Sequence, residues 1–126
     1  VESNLGKSVT AGDIAKALRA FRFIYSNEKQ LQSGVARALA SRGIAFEPEK
    51  DLGRDFGIVD FMVGRIAIEV KIKGSPSAVA RQLIRYCGCP DVDEIILFTG
   101  RRRLGGLPRK LGGKKLRVLS IWATML

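Results

Sequence analysis

The 126 residues include no histidine. Imidazole is therefore excluded as a catalytic base, which removes histidine-dependent nucleases and Ser-His-Asp hydrolases from consideration. Cysteine is nearly absent too. Cys87 and Cys89 stand one residue apart, a spacing that would strain a bridge, and two thiols without histidine make a poor zinc site. They read as reduced thiols and point to a cytoplasmic protein. No apolar run approaches the roughly 18 residues that span a bilayer, and VESNLGKSVT lacks the apolar stretch of a secretion signal. No membrane association is expected.

Negative charge is the next scarcity. Twelve acidic residues face 22 basic ones, for a net charge of +10. Residues 1–60 carry 9 basic and 8 acidic side chains, whereas residues 61–126 carry 13 and 4. The run GRRRLGGLPRKLGGKKLRV holds Arg101, Arg102, Arg103, Arg109, Lys110, Lys114, Lys115 and Arg117 with no acid. A field of that sign attracts polyanions, nucleic acid above all. A solubilising surface is the plainer explanation, but clustering between glycines favours nucleic acid.

What is present is the material of one globular domain, residues 1–126. Hydrophobic content of 46% is ordinary, and the length supports a single core with two layers. Thr10 with Asp13 resembles a capping box, followed by Ile14, Leu18 and Phe21 at helical spacing, which predicts a helix over 10–23. Asn27 is a candidate cap for a second helix with the stripe Leu31, Val35, Ala38 and Leu39 and a stop at Gly43. IAFEPEKDLG reads as an edge strand, because Pro48 is poorly tolerated in a central one. SPSAVARQLIRYCG predicts a third helix from Ser75 and Pro76 to Gly88. EIILFTG and KLRVLSIW are strand-length apolar runs joined by the basic loop. The order α-α-β-β-β-α-β-β describes an α/β fold, a mixed β-sheet flanked by helices.

Between the edge strand and the third helix lies GIVDFMVGRIAIEVKIKG, residues 57–74. A two-residue turn at Gly64-Arg65 pairs Val63 with Ile66, Phe61 with Ile68, Val59 with Val70 and Gly57 with Ile72. The opposite face then pairs Met62 with Ala67, Asp60 with Glu69 and Ile58 with Lys71. Two carboxylates directly opposite each other are destabilising, so a raised pKa, a neighbouring cation or a bound metal ion must compensate. Lys71 falls on the same face as Glu69. Two carboxylates suit a hard divalent cation such as Mg²⁺. A solvated polar face explains any one of these residues; the three together favour a site.

Asp60 followed by Glu69-Val70-Lys71 resembles the signature of the PD-(D/E)XK nuclease superfamily, with Val59 in place of its proline. The helix before the hairpin resembles that family's αβββαβ restriction-endonuclease-like core, over residues 27–100, with 1–26 an extension carrying an extra N-terminal helix and 101–126 a basic loop and final strand. Glu28 resembles the acidic residue that many members add to the metal site, although a first-turn Glu is also favoured by the helix dipole. Gln82 and Tyr86 in QLIRY resemble the Q-x-x-x-Y pattern of RecB-like branches, and the size is similar to small resolvase-like and VRR-NUC-like members. The resemblance implies a Mg²⁺-dependent deoxyribonuclease, with Mn²⁺ as a substitute. Asp60, Glu69, Glu28 and the carbonyl of Val70 would hold metal, and Lys71 would help electrostatically. Gln82 would orient the lysine or a phosphate, or else bond a loop carbonyl. Tyr86 and Cys87 read as core. DNA contacts are expected from Lys73, Arg81, Arg85, Arg101, Arg102, Arg103, Arg109, Lys110, Lys114 and Lys115. Structure-directed endonuclease action on a Holliday junction or other branched DNA fits best; an exonuclease, a restriction-like enzyme and an inactive nucleic-acid-binding module are the rivals. The first helix is a candidate homodimer element, since small resolvase-like members are often dimeric.

Overall fold

Residues 8–124 are described by the computed structural model; the start of the expected extension, residues 1–7, lies outside them. Helix α1 spans Ala11–Arg19 and begins in the expected capping box, Thr10 Oγ1 accepting the Asp13 N–H at 3.1 Å while Asp13 Oδ2 accepts the Thr10 N–H at 2.9 Å. It ends before the expected residue 23. Phe21 and Phe23 leave the helix to form an aromatic ladder onto the sheet, with centroids 5.0 Å apart from Phe21 to Phe23 and 5.0 Å from Phe23 to Phe98. Ring burial outweighs another helical turn there. The second helix, α2, spans Glu28–Ser41, with Asn27 accepting the Gln30 N–H at 2.8 Å.

Six strands follow, β1 (Glu47–Asp51), β2 (Ile58–Val63), β3 (Ile66–Lys71), β4 (Glu94–Thr99), β5 (Lys110–Leu111) and β6 (Lys114–Ser120). They form one sheet in the order β1-β2-β3-β4-β6-β5. The first three strands are antiparallel, β3, β4 and β6 are parallel, and β5 returns antiparallel to β6. Strand β1 is an edge, as Pro48 requires. Helix α3 (Pro76–Cys87), capped by Ser75, is the crossover between β3 and β4. Two differences concern the tail. The basic loop contains a 3₁₀ turn at Arg102–Gly106 and the short β5, and the apolar run after it leaves the sheet at Ser120 for a short helix α4, Ile121–Thr124.

The sheet separates two apolar layers. On one side α1 and α2 pack against Phe61, Val63, Ile68, Val70 and Phe98; on the other, α3 packs against Val59, Met62, Ala67, Ile95 and Leu97. The apolar face of α1, from Ala11 to Leu18, belongs to the first layer. Its apolar stripe is thus covered by its own chain. Among the described residues no helix is long and apolar enough to cross a membrane.

Candidate active site

The hairpin begins as its sequence dictates. Gly64 has φ +57° and Arg65 does not have a positive φ, the signature of a type II′ turn. Arg65 fastens the turn to the α3–β4 connection through Asp93 at 2.9 Å and the Pro90 carbonyl. Val63 pairs with Ile66, Met62 with Ala67 and Phe61 with Ile68.

There the ladder stops. Strand β3 stays on β4 as far as Lys71 opposite Thr99, and β2 stays on β1 through Lys50–Val59 and Asp51–Ile58. The expected pairs Asp60–Glu69, Val59–Val70 and Ile58–Lys71 do not form. Glu49, which the β1 register sets opposite Asp60, is the one described non-glycine residue with a left-handed backbone, at φ +47°. The strand changes face at the same point: Val59 joins the α3 layer with Met62, although a two-residue period from Phe61 would put it in the other. The expectation of three charges on one face is corrected accordingly. Glu69 lies beside Tyr86 of α3, whereas Asp60 stands in the opening and reaches towards α2.

Carboxylates take over the backbone donors that the ladder leaves behind. Val70 N–H donates to Asp60 Oδ2 at 2.8 Å, Asp60 N–H to Glu69 Oε1 at 3.2 Å, and Ile72 N–H to Glu28 Oε1 at 3.2 Å. A strand residue directs its N–H and C=O to the same neighbour, so the Val70 carbonyl faces the opening as well. Gln32 donates to Asp60 Oδ1 at 3.2 Å, and Lys71 Nζ lies 3.5 Å from Glu69 Oε2. From α3, Gln82 Nε2 donates to the Tyr86 hydroxyl at 2.9 Å, which donates to the Ile58 carbonyl at 2.9 Å. Gln82 therefore holds the rim of the opening through Tyr86 rather than touching Lys71. Gly57, at φ +93°, lets β2 enter close under α3; a Cβ there would come within 2.9 Å of Arg85.

The charges are poorly balanced. Glu69 is 3% exposed. Burial, then the charge of Asp60, pushes its carboxyl up to about 8, against relief from Lys71 and the Asp60 N–H. Asp60 is also raised, chiefly by burial and further by Glu28, while the Val70 N–H and Lys71 pull it down. Tyr86 is raised by burial and by the same two carboxylates.

No protein-family model, curated protein or solved structure was found to match this chain. The chemistry of the site must speak for itself. Among the described residues no three acidic or thiol side chains are grouped to hold a metal ion; Glu28, expected as a ligand, is engaged at Ile72. Asp60, Glu69 and the Val70 carbonyl remain as oxygen donors around the opening. That set fits Mg²⁺, which keeps several waters and takes one or two carboxylates.

The remaining expected residues divide by position. Parallel pairing sets Arg101, Arg102 and Arg103, which follow β4, at the same end of the sheet as Lys71, and Lys73 follows β3 there. Arg81, Gln82 and Arg85 line a groove of about 560 Å³ on the outer side of α3. Arg109, Lys110 and Lys115 lie at the other end, beside the start of β6, where Glu94 of β4 is opposite Lys115. A second cleft of about 450 Å³ there is lined by Arg19, Arg109, Lys115 and Arg117. The basic run is thus two patches, not one grip. Lys114 belongs to neither, because its ammonium donates to the carbonyls of Cys89, at 2.9 Å, and Val92. Gln32, one helical turn after Glu28 on α2, was legible from i, i+4 spacing; the position of Glu49 was not.

Proposed function

We propose that this protein is a Mg²⁺-dependent deoxyribonuclease of the PD-(D/E)XK type, acting as a structure-directed endonuclease. One observation carries the reading: the sheet opens at Asp60, and the opening buries Glu69 against a second carboxylate with Lys71 3.5 Å away. The carboxylates satisfy backbone donors there, but continued ladder pairing would do so without burying two acids together, and phosphodiester hydrolysis uses those acids and the lysine. The element order α2-β1-β2-β3-α3-β4 supports the same reading, being the αβββαβ succession that the sequence resemblance implies.

Asp60 and Glu69, with the Val70 carbonyl, would hold the cation. The chemistry gained from a bound Mg²⁺ is neutralisation of charge on the phosphodiester and a lowered pKa for water. Lys71 stabilises charge developing on the phosphate. Gln32 and the Val70 N–H fix the Asp60 carboxylate, and Gln82 and Tyr86 fix the β2 side of the opening. Lys73 and Arg101–Arg103 grip the nucleic-acid backbone at that end, giving affinity without sequence information.

Labelled blunt duplex, single strand, flap and four-way junction are incubated with Mg²⁺ or with EDTA. Cleavage is expected with Mg²⁺ alone, lost in Glu69→Gln and reduced about 10²–10³-fold in Lys71→Ala, with DNA binding retained. Full activity of Glu69→Gln sinks the assignment. The lack of a third acidic or thiol side chain grouped with Asp60 and Glu69 among the described residues favours one alternative, a nucleic-acid-binding module without hydrolysis. Binding with no cleavage of any substrate would establish that alternative.

A further inference from the structure

The carboxyl end of the sheet carries a second feature that hydrolysis does not require. Trp122, the single tryptophan of the chain, is 45% exposed. Its ring is nonetheless pinned: the indole Nε1–H donates to the Gly100 carbonyl at 3.0 Å, and the Arg102 guanidinium stands 4.8 Å from the ring centroid. Gly100 also donates its own N–H to the Lys71 carbonyl at 3.3 Å. The exposed ring therefore hangs from the residue bonded to the lysine of the candidate active site, two strand spacings away, about 10 Å.

Gly100 is crowded from the other side. A Cβ there would come within 2.6 Å of the Tyr25 hydroxyl, which brings the α1–α2 connection to this spot. The exposed Trp122 ring thus sits against Gly100, the residue that leads directly into Arg101, Arg102 and Arg103. Arg101 is half-buried, and its Nε has no hydrogen-bond partner among the described residues.

A paired duplex presents phosphates and would need only the cations. A pinned aromatic face set among arginines suits a ligand with both a phosphate chain and an uncovered base. We propose that Trp122 with Arg102 is a stacking platform for an unpaired nucleobase. This rests on the nuclease reading above and specifies its substrate class: DNA whose strand is unpaired next to the cleaved bond. Ring immobilisation in the free protein lowers the entropy cost of stacking.

The single tryptophan reports directly on the proposal. In EDTA, the wild-type protein is titrated with an oligothymidylate of about 12 nucleotides, an abasic strand of the same length and a blunt duplex, following Trp122 emission and anisotropy of the labelled DNA. Stacking predicts quenching by oligothymidylate and none by the abasic strand or duplex. Trp122→Ala should weaken oligothymidylate binding about 5- to 100-fold with duplex binding unchanged, and Trp122→Tyr should restore most of it. Equal quenching by the abasic strand, or unchanged oligothymidylate affinity in Trp122→Ala, overturns the platform while leaving the nuclease reading intact. Stacking without Mg²⁺-dependent cleavage in the separate assay supports the platform and removes the nuclease. Failure to bind any DNA overturns both.

Discussion

Replacing Glu69 by Gln in the metal-free protein should make it more stable at alkaline pH, not less. Glu69 titrates at about 8 in the fold and near 4.5 without it, burial being the main cause and Asp60 the second. Between those values the native state holds a proton that the unfolded chain has released, so stability declines as pH rises through the window and levels off above it. At about 1.4 kcal/mol per pH unit, that decline is on the order of 5 kcal/mol, about 4 of it above pH 5, a large share of the 5–15 kcal/mol typical of a domain. Asp60 is raised as well and adds to the same slope. Asp13 and Asp93, whose carboxyls are lowered by Thr10 and Arg65 respectively, act in the opposite sense and only near or below pH 4. Urea unfolding in EDTA from pH 5 to pH 9 measures the effect. With a slope of about 2 kcal/mol per molar, the wild-type midpoint should fall by about 2 M, while Glu69→Gln should fall much less and overtake it above pH 7. Mg²⁺ at pH 8.5 should raise the wild-type midpoint and leave the variant's unmoved. Parallel pH profiles for the two proteins would refute the account of the site's electrostatics.

Two further substitutions separate structural from functional roles. Lys114→Ala removes the donor to the Cys89 and Val92 carbonyls and should cost about 1–3 kcal/mol in urea unfolding, with DNA affinity at constant salt within a factor of two of wild type; a large loss of affinity with unchanged stability would return Lys114 to the nucleic-acid surface. Gly57→Ala imposes a side chain at φ +93° and a contact 2.9 Å from Arg85. It should lower stability by about 1–3 kcal/mol, and an unchanged thermal midpoint would show that β2 can enter the site differently.

The parts of this fold that were legible rest on local rules. The Thr10 capping box, the Asn27 and Ser75 caps and the Gly64-Arg65 turn each fix their element within a few residues, and the hairpin register follows from the turn as far as Phe61–Ile68. Beyond that pair the outcome depends on residues distant in sequence. Glu49 adopts a backbone that no local signal favours, and Gln32 and Glu28 draw two polar groups from α2 into the opening. Alternation alone cannot express a strand that changes face halfway. The tail misled for another reason. Gly112-Gly113 between Leu111 and Lys114 is a hairpin signal, and folding there turns Lys114 inward while its neighbours in sequence stay exposed. Charge counted along the chain could not distinguish an ammonium that fastens carbonyls from one that meets phosphate.

The bonding pattern at the opening also decides how the site must be tested. Glu69 accepts the Asp60 N–H, Asp60 accepts the Val70 N–H and Glu28 accepts the Ile72 N–H. Each carboxylate thus supports the backbone as well as carrying charge. Truncation to Ala would leave a partly buried N–H unpaired, at about 1–3 kcal/mol, so loss of cleavage in an Ala variant could reflect a collapsed opening. An amide keeps a carbonyl oxygen for the same donor and removes only the charge. The opening itself sets two demands against each other: bonds from the backbone favour ionised carboxylates, and burial beside a second acid favours protonated ones. Lys71 relieves that conflict in part, and a divalent cation would relieve it further by keeping both acids ionised. Cation affinity and local stability at the opening are therefore one linked quantity, and only variants that preserve the N–H acceptors can measure the first without disturbing the second.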